Sequence, residues 1–448
     1  MQRLNSIILF TADPWESAMP ILRVTGPAIA SNVEVIRGNE GNRVYADRIA
    51  QSDLVIIQRH FPSLPEYDEI ISKARRLKKP VVFEMDDLLF ELPEDHISFI
   101  NYAEYTLPMV QAAMQADAVV TSTPLLQEYL SHFNRNVWFF PNLLNDSIWP
   151  KPLGKQTYNN SDGPTVIGYM GGQTHLSDLE TITPILRNVV EEYGNQIQLR
   201  FWGVRPPDEL LCLPHVKWTP LDLLDYKRFA DFFSKQSVDI FIAPLRENQF
   251  NQCKSPIKFL EYSQMAVPGV YSRMEPYMSI VNNGKNGFLA KDEDAWHDSL
   301  VSLFRNPDLR HEMGKNARET VQQEWLLSAH ASKWKDVYNQ ILDSYPSRDS
   351  TIKANPVLNA ISRSNQFQRY LQQNHQFLMK NNYILRNELI TERKNTQTIL
   401  DSQTWIIARR IQSIREFFVP LNSKREKIIR IAVRFFLPIK HTTKKDEK

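Results

Sequence analysis

Val238–Ser272, VDIFIAPLRENQFNQCKSPIKFLEYSQMAVPGVYS, reads as strand, loop, helix, strand, and that order decides the fold class. An apolar run at Ile240, Phe241, Ile242 and Ala243 leads into a polar loop closed by Pro256. Ile257–Met265 then follows at helical spacing, and Gly-Val-Tyr begins a second strand. A buried strand that feeds a helix and returns to another strand is the unit of an open, parallel α/β sheet. In such sheets ligands bind at the carboxyl ends of the strands, where the helix start offers unpaired N–H groups and partial positive charge to a phosphate. Lys254, Ser255 and Lys258 stand at that junction, with Glu261 one turn further in. The cations and hydroxyl suit a diphosphate, and the carboxylate suits two ribose hydroxyls. The alternative is two solvated lysines and an ordinary helix glutamate.

Outward from that stretch, the 448 residues suit two domains of about 150–200 residues plus additional segments. Cys212 and Cys253 are the only cysteines, and neither lies in a CxxC or Cys/His cluster, so neither a disulfide framework nor a structural zinc is expected. A reducing, cytoplasmic location follows as an expectation. The N-terminal apolar run spans five residues, too short for a signal peptide, and no later run approaches the roughly 18 apolar residues of a membrane span. Net charge is +2 but uneven: residues 405–448 hold 12 Lys/Arg against 4 Asp/Glu, a net +8, leaving −6 on residues 1–404. The basic character belongs to the tail.

The first half alternates short apolar runs, at 6–12, Val33–Ile36, Leu54–Gln58 and Val81–Glu84, with helical or turn-like segments such as Pro65–Leu77. This spacing predicts a parallel sheet. The loop after the first strand has no GxGxxG, which argues against a dinucleotide fingerprint. Two strand ends bear polar groups: Arg59-His60 after VIIQ, and Asp86-Asp87 after VVFEM. The adjacent carboxylates leave three possibilities open: a divalent metal, an acceptor hydroxyl to be oriented or deprotonated, or Asp87 as a helix cap. The acceptor role fits best at the carboxyl end of a strand. Residues 146–164 are rich in Pro, Gly, Asn and Ser and mark a domain boundary. Beyond it, TVIGYMGGQTHLSDLE predicts a strand, the pair Gly171-Gly172, and a helix from Ser177 with Glu180 completing a capping box. The diglycine lets a ligand approach the backbone closely.

IKFLEYSQMAVPGVYS (257–272), with PYMSIVNNGKNGFLAKDEDAWHDSLVSLFRNPDLRHEMGKNARETV (276–321), resembles the donor-binding half of family 4 retaining glycosyltransferases of the GT-B fold, the glycosyl transferases group 1. The family pattern there is Glu, seven residues, Glu, within a segment like EGFGLPVLEAMACG. Glu261 matches the second Glu, Cys253 stands at the first, and Lys254-Ser255-Pro256 replace the Gly-Phe-Gly that approaches the phosphates. The resemblance covers about residues 1–345 and implies two Rossmann-like domains facing a cleft: an acceptor domain at 1–148 and a nucleotide-sugar donor domain at 149–345. It further implies that Arg23 helps to hold the donor diphosphate, although a solvated arginine is an equal alternative. His60, Asp86 and Asp87 would line the cleft, Asp86 standing where a family His commonly approaches the donor sugar or acceptor. Members often place an Arg and a Lys after the diglycine; here Gln173, Thr174 and His175 stand there, so cationic duty passes to Lys254, Lys258 and Arg246. His175 taken alone is more often structural or solvated. Trp218 lies in a region that clamps the base in relatives, and core packing is its other role.

The resemblance implies transfer of a sugar from a nucleotide-diphosphate donor to a glycan or lipid-linked acceptor in surface polysaccharide assembly, with retention and without a metal or cofactor. The alternatives are a catalytically degenerate scaffold or glycan-binding subunit, and a nucleotide-sugar epimerase or hydrolase. After a linker and short heptad helix at 346–404, residues 405–448 form a basic amphipathic tail suited to an anionic membrane surface. The expected location is therefore peripheral, at the inner face of the membrane. Tyr370/Leu371, Phe377/Leu378 and Ile384/Leu385 recur every seven residues, consistent with a homodimer or with packing on the protein's own surface. No recognition motif for nucleic acid accompanies the basic charge.

Overall fold

The computed structural model describes residues 3–59, 64–149, 163–221, 225–345, 356–420 and 422–436. His60, most of the expected domain boundary and the segment before residue 356 lie outside the described residues. The chain divides into two compact units, Met1–Gln366 and Phe367–Lys448.

The first unit contains two six-stranded parallel sheets. Strands β1 (Ser6–Thr11), β2 (Glu34–Arg37), β3 (Leu54–Gln58), β4 (Val81–Met85), β5 (Ala118–Thr121) and β6 (Val137–Phe139) lie in the order β2-β1-β3-β4-β5-β6. Their register brings Leu9 beside Ile56, Ile56 beside Val82 and Val82 beside Ala118. Successive side chains leave opposite faces of a strand. Ile8, Phe10, Val55 and Phe83 accordingly pack on one face against Tyr67 and Ile70 of α1 (Leu64–Arg76) and Met109 of α2 (Thr106–Gln115). On the other face, Ile7, Leu9, Ile56 and Val82 meet Trp334, Tyr338 and Ile341. After β5, helix α3 (Pro124–Ser131) starts at Thr123, whose side chain accepts from Leu126 N.

The second sheet holds β7 (Thr165–Gly171), β8 (Ile197–Gly203), β9 (Val216–Thr219), β10 (Ile240–Ala243), β11 (Gly269–Ser272) and β12 (Phe288–Ala290), ordered β9-β8-β7-β10-β11-β12. This is the doubly wound arrangement whose strand order reverses between β7 and β10; in the first sheet the reversal falls between β1 and β3. In sheets of this kind ligands bind beyond the strand ends at the reversal. Helices α4 (Leu176–Glu180), α5 (Thr183–Tyr193), α6 (Tyr226–Phe233), α7 (Gln249–Gln252), α8 (Ile257–Gln264), α9 (Glu293–Arg305) and α10 (Pro307–Glu324) accompany this sheet. Helix α11 (Leu327–Ser344) returns to the first domain, where the Trp334 indole N–H donates to the Arg23 carbonyl at 3.2 Å and Ser31 Oγ donates to the Ala331 carbonyl at 2.7 Å.

The expected capping box is not formed. α4 begins at Leu176, one residue before Ser177, behind a 3₁₀ turn at Gln173–His175, and has no side-chain cap. His175 occupies the cap position instead, its ring bonded to Asp178.

The second unit is helical. It comprises the part of α12 (Pro356–Asp401) beyond Gln366, then α13 (Gln403–Phe418) and α14 (Lys424–Phe436). The heptad residues Tyr370, Leu371, Phe377, Leu378, Ile384 and Leu385 are exposed. Among the described residues, no helix is long and apolar enough to cross a membrane.

Candidate active site

The loops at the second sheet's reversal converge on one buried carboxylate, Asp178. Its Oδ1 accepts from the Asn251 side-chain amide at 2.7 Å and from the Arg246 backbone N–H at 3.0 Å. Its Oδ2 lies 2.9 Å from His175 Nδ1 and 3.7 Å from Lys254 Nζ. His175 Nε2 is 3.2 Å from Lys258 Nζ, so the ring accepts from the ammonium there and donates from Nδ1 to Asp178. Burial and the two neighbouring lysines hold the His175 pKa down to about 3, which keeps the ring neutral. Burial alone would raise the Asp178 pKa, but the bond to His175 and the charge of Lys254 take it well below the usual carboxylate range. Burial and the adjacent Lys254 bring the Lys258 pKa down to about 8.

These groups lie beside the start of α8 and the end of β7. Gly171 has no room for a side chain: a Cβ there would sit 2.9 Å from the Tyr169 hydroxyl and 3.3 Å from the His175 ring. Gly203, with φ +85°, lies directly over the Gly171 carbonyl. Gly172 is open. Glu261, on α8, is buried and accepts from the Tyr226 hydroxyl at 2.9 Å; that hydroxyl in turn accepts from the Trp149 indole at 2.9 Å. Burial raises the Glu261 pKa to about 7, against the pull of the Tyr226 bond and Lys258.

The facing domain supplies the opposite charge. Arg59, at the end of β3, has φ +57°, a strained conformation for a residue with a side chain. The bend turns its guanidinium onto Asp86, with Nε–Oδ1 at 2.6 Å and Nη2–Oδ2 at 2.7 Å. It reaches Asp13 and Asp87 only at 3.5 Å. Burial opposes ionisation of Asp86, but the Arg59 charge and paired bonds prevail and its pKa is lowered. Burial and the adjacent Asp86 raise the Asp87 pKa to about 6, and the charges of Lys254 and Lys258 act on it from across the cleft. Its side chain is 28% exposed against 3% for Asp86, so of the two carboxylates Asp87 is the one open to a ligand.

The two domains are joined at the loop between α7 and α8. Thr123 Oγ1 donates to the Cys253 carbonyl at 2.9 Å, and the Asn142 amide donates to Ser255 Oγ at 2.7 Å. Phe250 and Cys253 are buried within the first domain's core cluster. The Arg246 guanidinium donates to Asp95 of the first domain, at 2.7 Å for Nη2–Oδ1. Arg246 thus bridges the domains, while its backbone serves Asp178. Arg23 is not solvated. Its side chain is fully buried, with Nε 2.6 Å from Glu84 and Nη1 bonded to the Phe140 carbonyl at 2.7 Å and Asn142 Oδ1 at 2.9 Å. Trp218 packs on the second sheet's core and donates its indole N–H to the Gly203 carbonyl at 3.1 Å.

The structure therefore brings together Gly171, Gly172, Lys254, Ser255, Lys258 and Glu261 on one side and Asp86 and Asp87 on the other, with Arg23 linked to Ser255 through Asn142. Asp178, Asn251, Tyr226 and the clamp by Arg59 had not been assigned roles from sequence. The His175-x-x-Asp178 spacing on a helical turn was a usable signal for the first of these; Tyr226 offered none. Among the described residues, no group of three or more His, Cys, Asp or Glu side chains could hold a metal ion.

Residues 224–320 match the family model described as Glycosyl transferases group 1. A trehalose synthase from Thermococcus litoralis is 33% identical over 57 residues, 13% of this chain and 14% of that protein. One from Pyrococcus horikoshii is 27% identical over 59 residues, again 13% and 14%. The chain thus spans 14% of the length of these curated relatives. Among solved structures, a glycosyltransferase from Rickettsia africae superposes with TM-score 0.52 at 13% identity, covering 76% of this chain and 99% of that one. A sucrose-phosphate synthase from Thermosynechococcus elongatus gives 0.50 at 15%, covering 76% and 89%. Anabaena HepE in complex with UDP-glucose gives 0.50 at 12%, covering 77% and 100%. The fold is that of the GT-B glycosyltransferases, and the match to the glycosyl transferases group 1 model lies in its second domain.

Proposed function

We propose that the protein transfers a sugar from a nucleotide-diphosphate donor to a hydroxyl of a glycan or lipid-linked acceptor. The observation behind this is the paired lysines: Lys254 and Lys258, organised by Asp178 and His175, stand beside Gly171-Gly172 at the start of α8 and act electrostatically on Asp87 of the facing domain. The leaving nucleotide diphosphate gains charge as the sugar–oxygen bond breaks. Two fixed ammonium groups and a helix N-terminus are already aimed where that charge develops. Glu261, set by Tyr226, takes the ribose hydroxyls. Asp87 orients the acceptor hydroxyl and accepts its proton as the new glycosidic bond forms.

Retention at the transferred carbon and independence of a divalent metal belong to the proposal and rest on the family resemblance. Proton NMR of the first-formed product tests the former, and assay in a chelator tests the latter. The test of the whole is calorimetry on the full chain with a panel of UDP-, GDP- and dTDP-sugars, beginning with UDP-glucose, alongside the Glu261→Ala variant. Binding of one donor, lost in the variant and followed by turnover with an acceptor, is the expected result. A folded protein that binds no donor would instead be a scaffold or glycan-binding subunit.

A further inference from the structure

The second unit has a surface that the glycosyl-transfer reading does not use. In α13, Ile407, Ile411, Ile414 and Phe418 form one stripe at helical spacing, and each is more than half exposed. In α14, Ile428 and Ile431 are exposed at 67% and 61%. Residues 403–436 hold eight Lys/Arg and two Asp/Glu. One of the two acids, Glu426, is turned inward: its side chain is 6% exposed, accepts from the Asn422 backbone N–H, and pairs with Arg430 at 3.1 Å and with Arg415 of α13 at 3.5 Å. The acid that would offset the positive charge thus ties the two helices together, while Arg409, Arg410, Lys424, Arg425 and Lys427 remain exposed. A groove of about 770 Å³ between the end of α12 and α13 is lined by Leu400, Trp405, Arg409 and Arg410.

We propose that the α13–α14 pair is a docking surface for an anionic phospholipid bilayer, lying in the interface with its isoleucine and phenylalanine stripe in the acyl boundary and its arginines and lysines at the headgroup phosphates. Charge decides between occupants. A second copy of this helix pair would cover the apolar stripe but set Arg409 and Arg410 against their own kind. Nucleic acid would satisfy the cations and leave the stripe in water. An anionic bilayer satisfies both. Trp405, which lines the groove, has the amphipathic ring that favours the headgroup level.

The experiment is co-sedimentation of the full chain with vesicles of phosphatidylcholine alone or with about one third phosphatidylglycerol, at roughly 0.05 and 0.5 M salt. The expected result is binding to the anionic vesicles only, weakened at least about tenfold by high salt. Ile411→Asp/Ile414→Asp and Arg409→Glu/Arg410→Glu should each weaken it at least about tenfold while circular dichroism and the melting temperature stay unchanged. Equal binding to neutral vesicles, or no vesicle binding by a folded chain, overturns the proposal. So does a dimer in sedimentation equilibrium that Ile411→Asp/Ile414→Asp disperses while vesicle binding persists. None of these readouts depends on donor binding or turnover.

Discussion

The two walls of the cleft solve opposite electrostatic problems with the same device. On the first-domain wall, one guanidinium faces three carboxylates; Arg59 commits its close contacts to Asp86 and leaves Asp87 unpaired at short range. On the second-domain wall, one carboxylate faces two ammonium groups; Asp178 takes Lys254 directly and Lys258 through His175. In each case a buried counter-ion fixes the position of a charged group while leaving an excess of one sign at the cleft. The first wall is left negative, suited to holding a proton, and the second positive, suited to a diphosphate. Pinning by a buried partner also limits reorganisation when the reaction begins.

The difference is broken most sharply by Asp87→Asn. Donor affinity and fold should be kept, while kcat/KM falls by about 10²–10⁴, the range of a lost general base. An equal loss in Asp86→Asn with Asp87→Asn near normal would reverse the assignment.

Asp178→Ala attacks the other wall through its scaffold. It removes the acceptor for Asn251, the Arg246 N–H and His175 together, and breaking one side of a buried charge pair costs about 3–5 kcal/mol. A lower denaturation midpoint with unchanged slope is the expected signature. An unchanged midpoint would show that the hub contributes nothing to the fold.

Lys258→Ala should lower kcat by about 10²–10³ with the fold intact. Its charge also sets the pH profile. Glu261 and Asp87 must be ionised, so kcat/KM should fall below about pH 7 and more steeply below about pH 6; Lys258 must be protonated, so it should fall above about pH 8. Lys258→Arg, which keeps its proton throughout, should remove the alkaline limb and leave the acid limb in place. An alkaline limb that persists in Lys258→Arg belongs to another group. Glu261→Gln should weaken donor binding by about ten- to a hundredfold, the usual scale for hydrogen bonds to a charged acceptor, with little change in kcat.

The fold was legible because both sheets are written in uninterrupted apolar runs. Ile240–Ala243 and Leu54–Gln58 have the length and composition of buried parallel strands, and Pro256 marks where α8 must begin. The position of the lysines and Glu261 at the start of α8 was legible for the same reason, since a residue's place at a strand-to-helix junction follows from the period alone. What failed was anything set by partners distant in sequence. Arg23 looks like any surface arginine until Glu84 and Asn142, 61 and 119 residues away, are brought around it. Arg246 and Asp95 are 151 residues apart, and Asp178 meets Asn251 across 73. What separates Asp86 from Asp87 is Arg59, whose backbone bend has no signature in a non-glycine residue.

The weakest lever tests how the walls are held together. Asp95→Ala frees the Arg246 guanidinium without disturbing the backbone N–H that serves Asp178. The pair is solvent-exposed, with side chains 58% and 35% accessible, so screening leaves it little influence on the fold. The loop between α7 and α8 has two further ties, Thr123 to the Cys253 carbonyl and Asn142 to Ser255, both better buried. Asp95→Ala should therefore change KM for donor by no more than about threefold and leave kcat within error. Asn142→Ala should do more, because it releases Ser255 at the start of α8 and strips a partner from the buried Arg23. If the order is reversed, the exposed clasp rather than the buried loop governs closure, and the freed Arg246 becomes a candidate for the diphosphate after all.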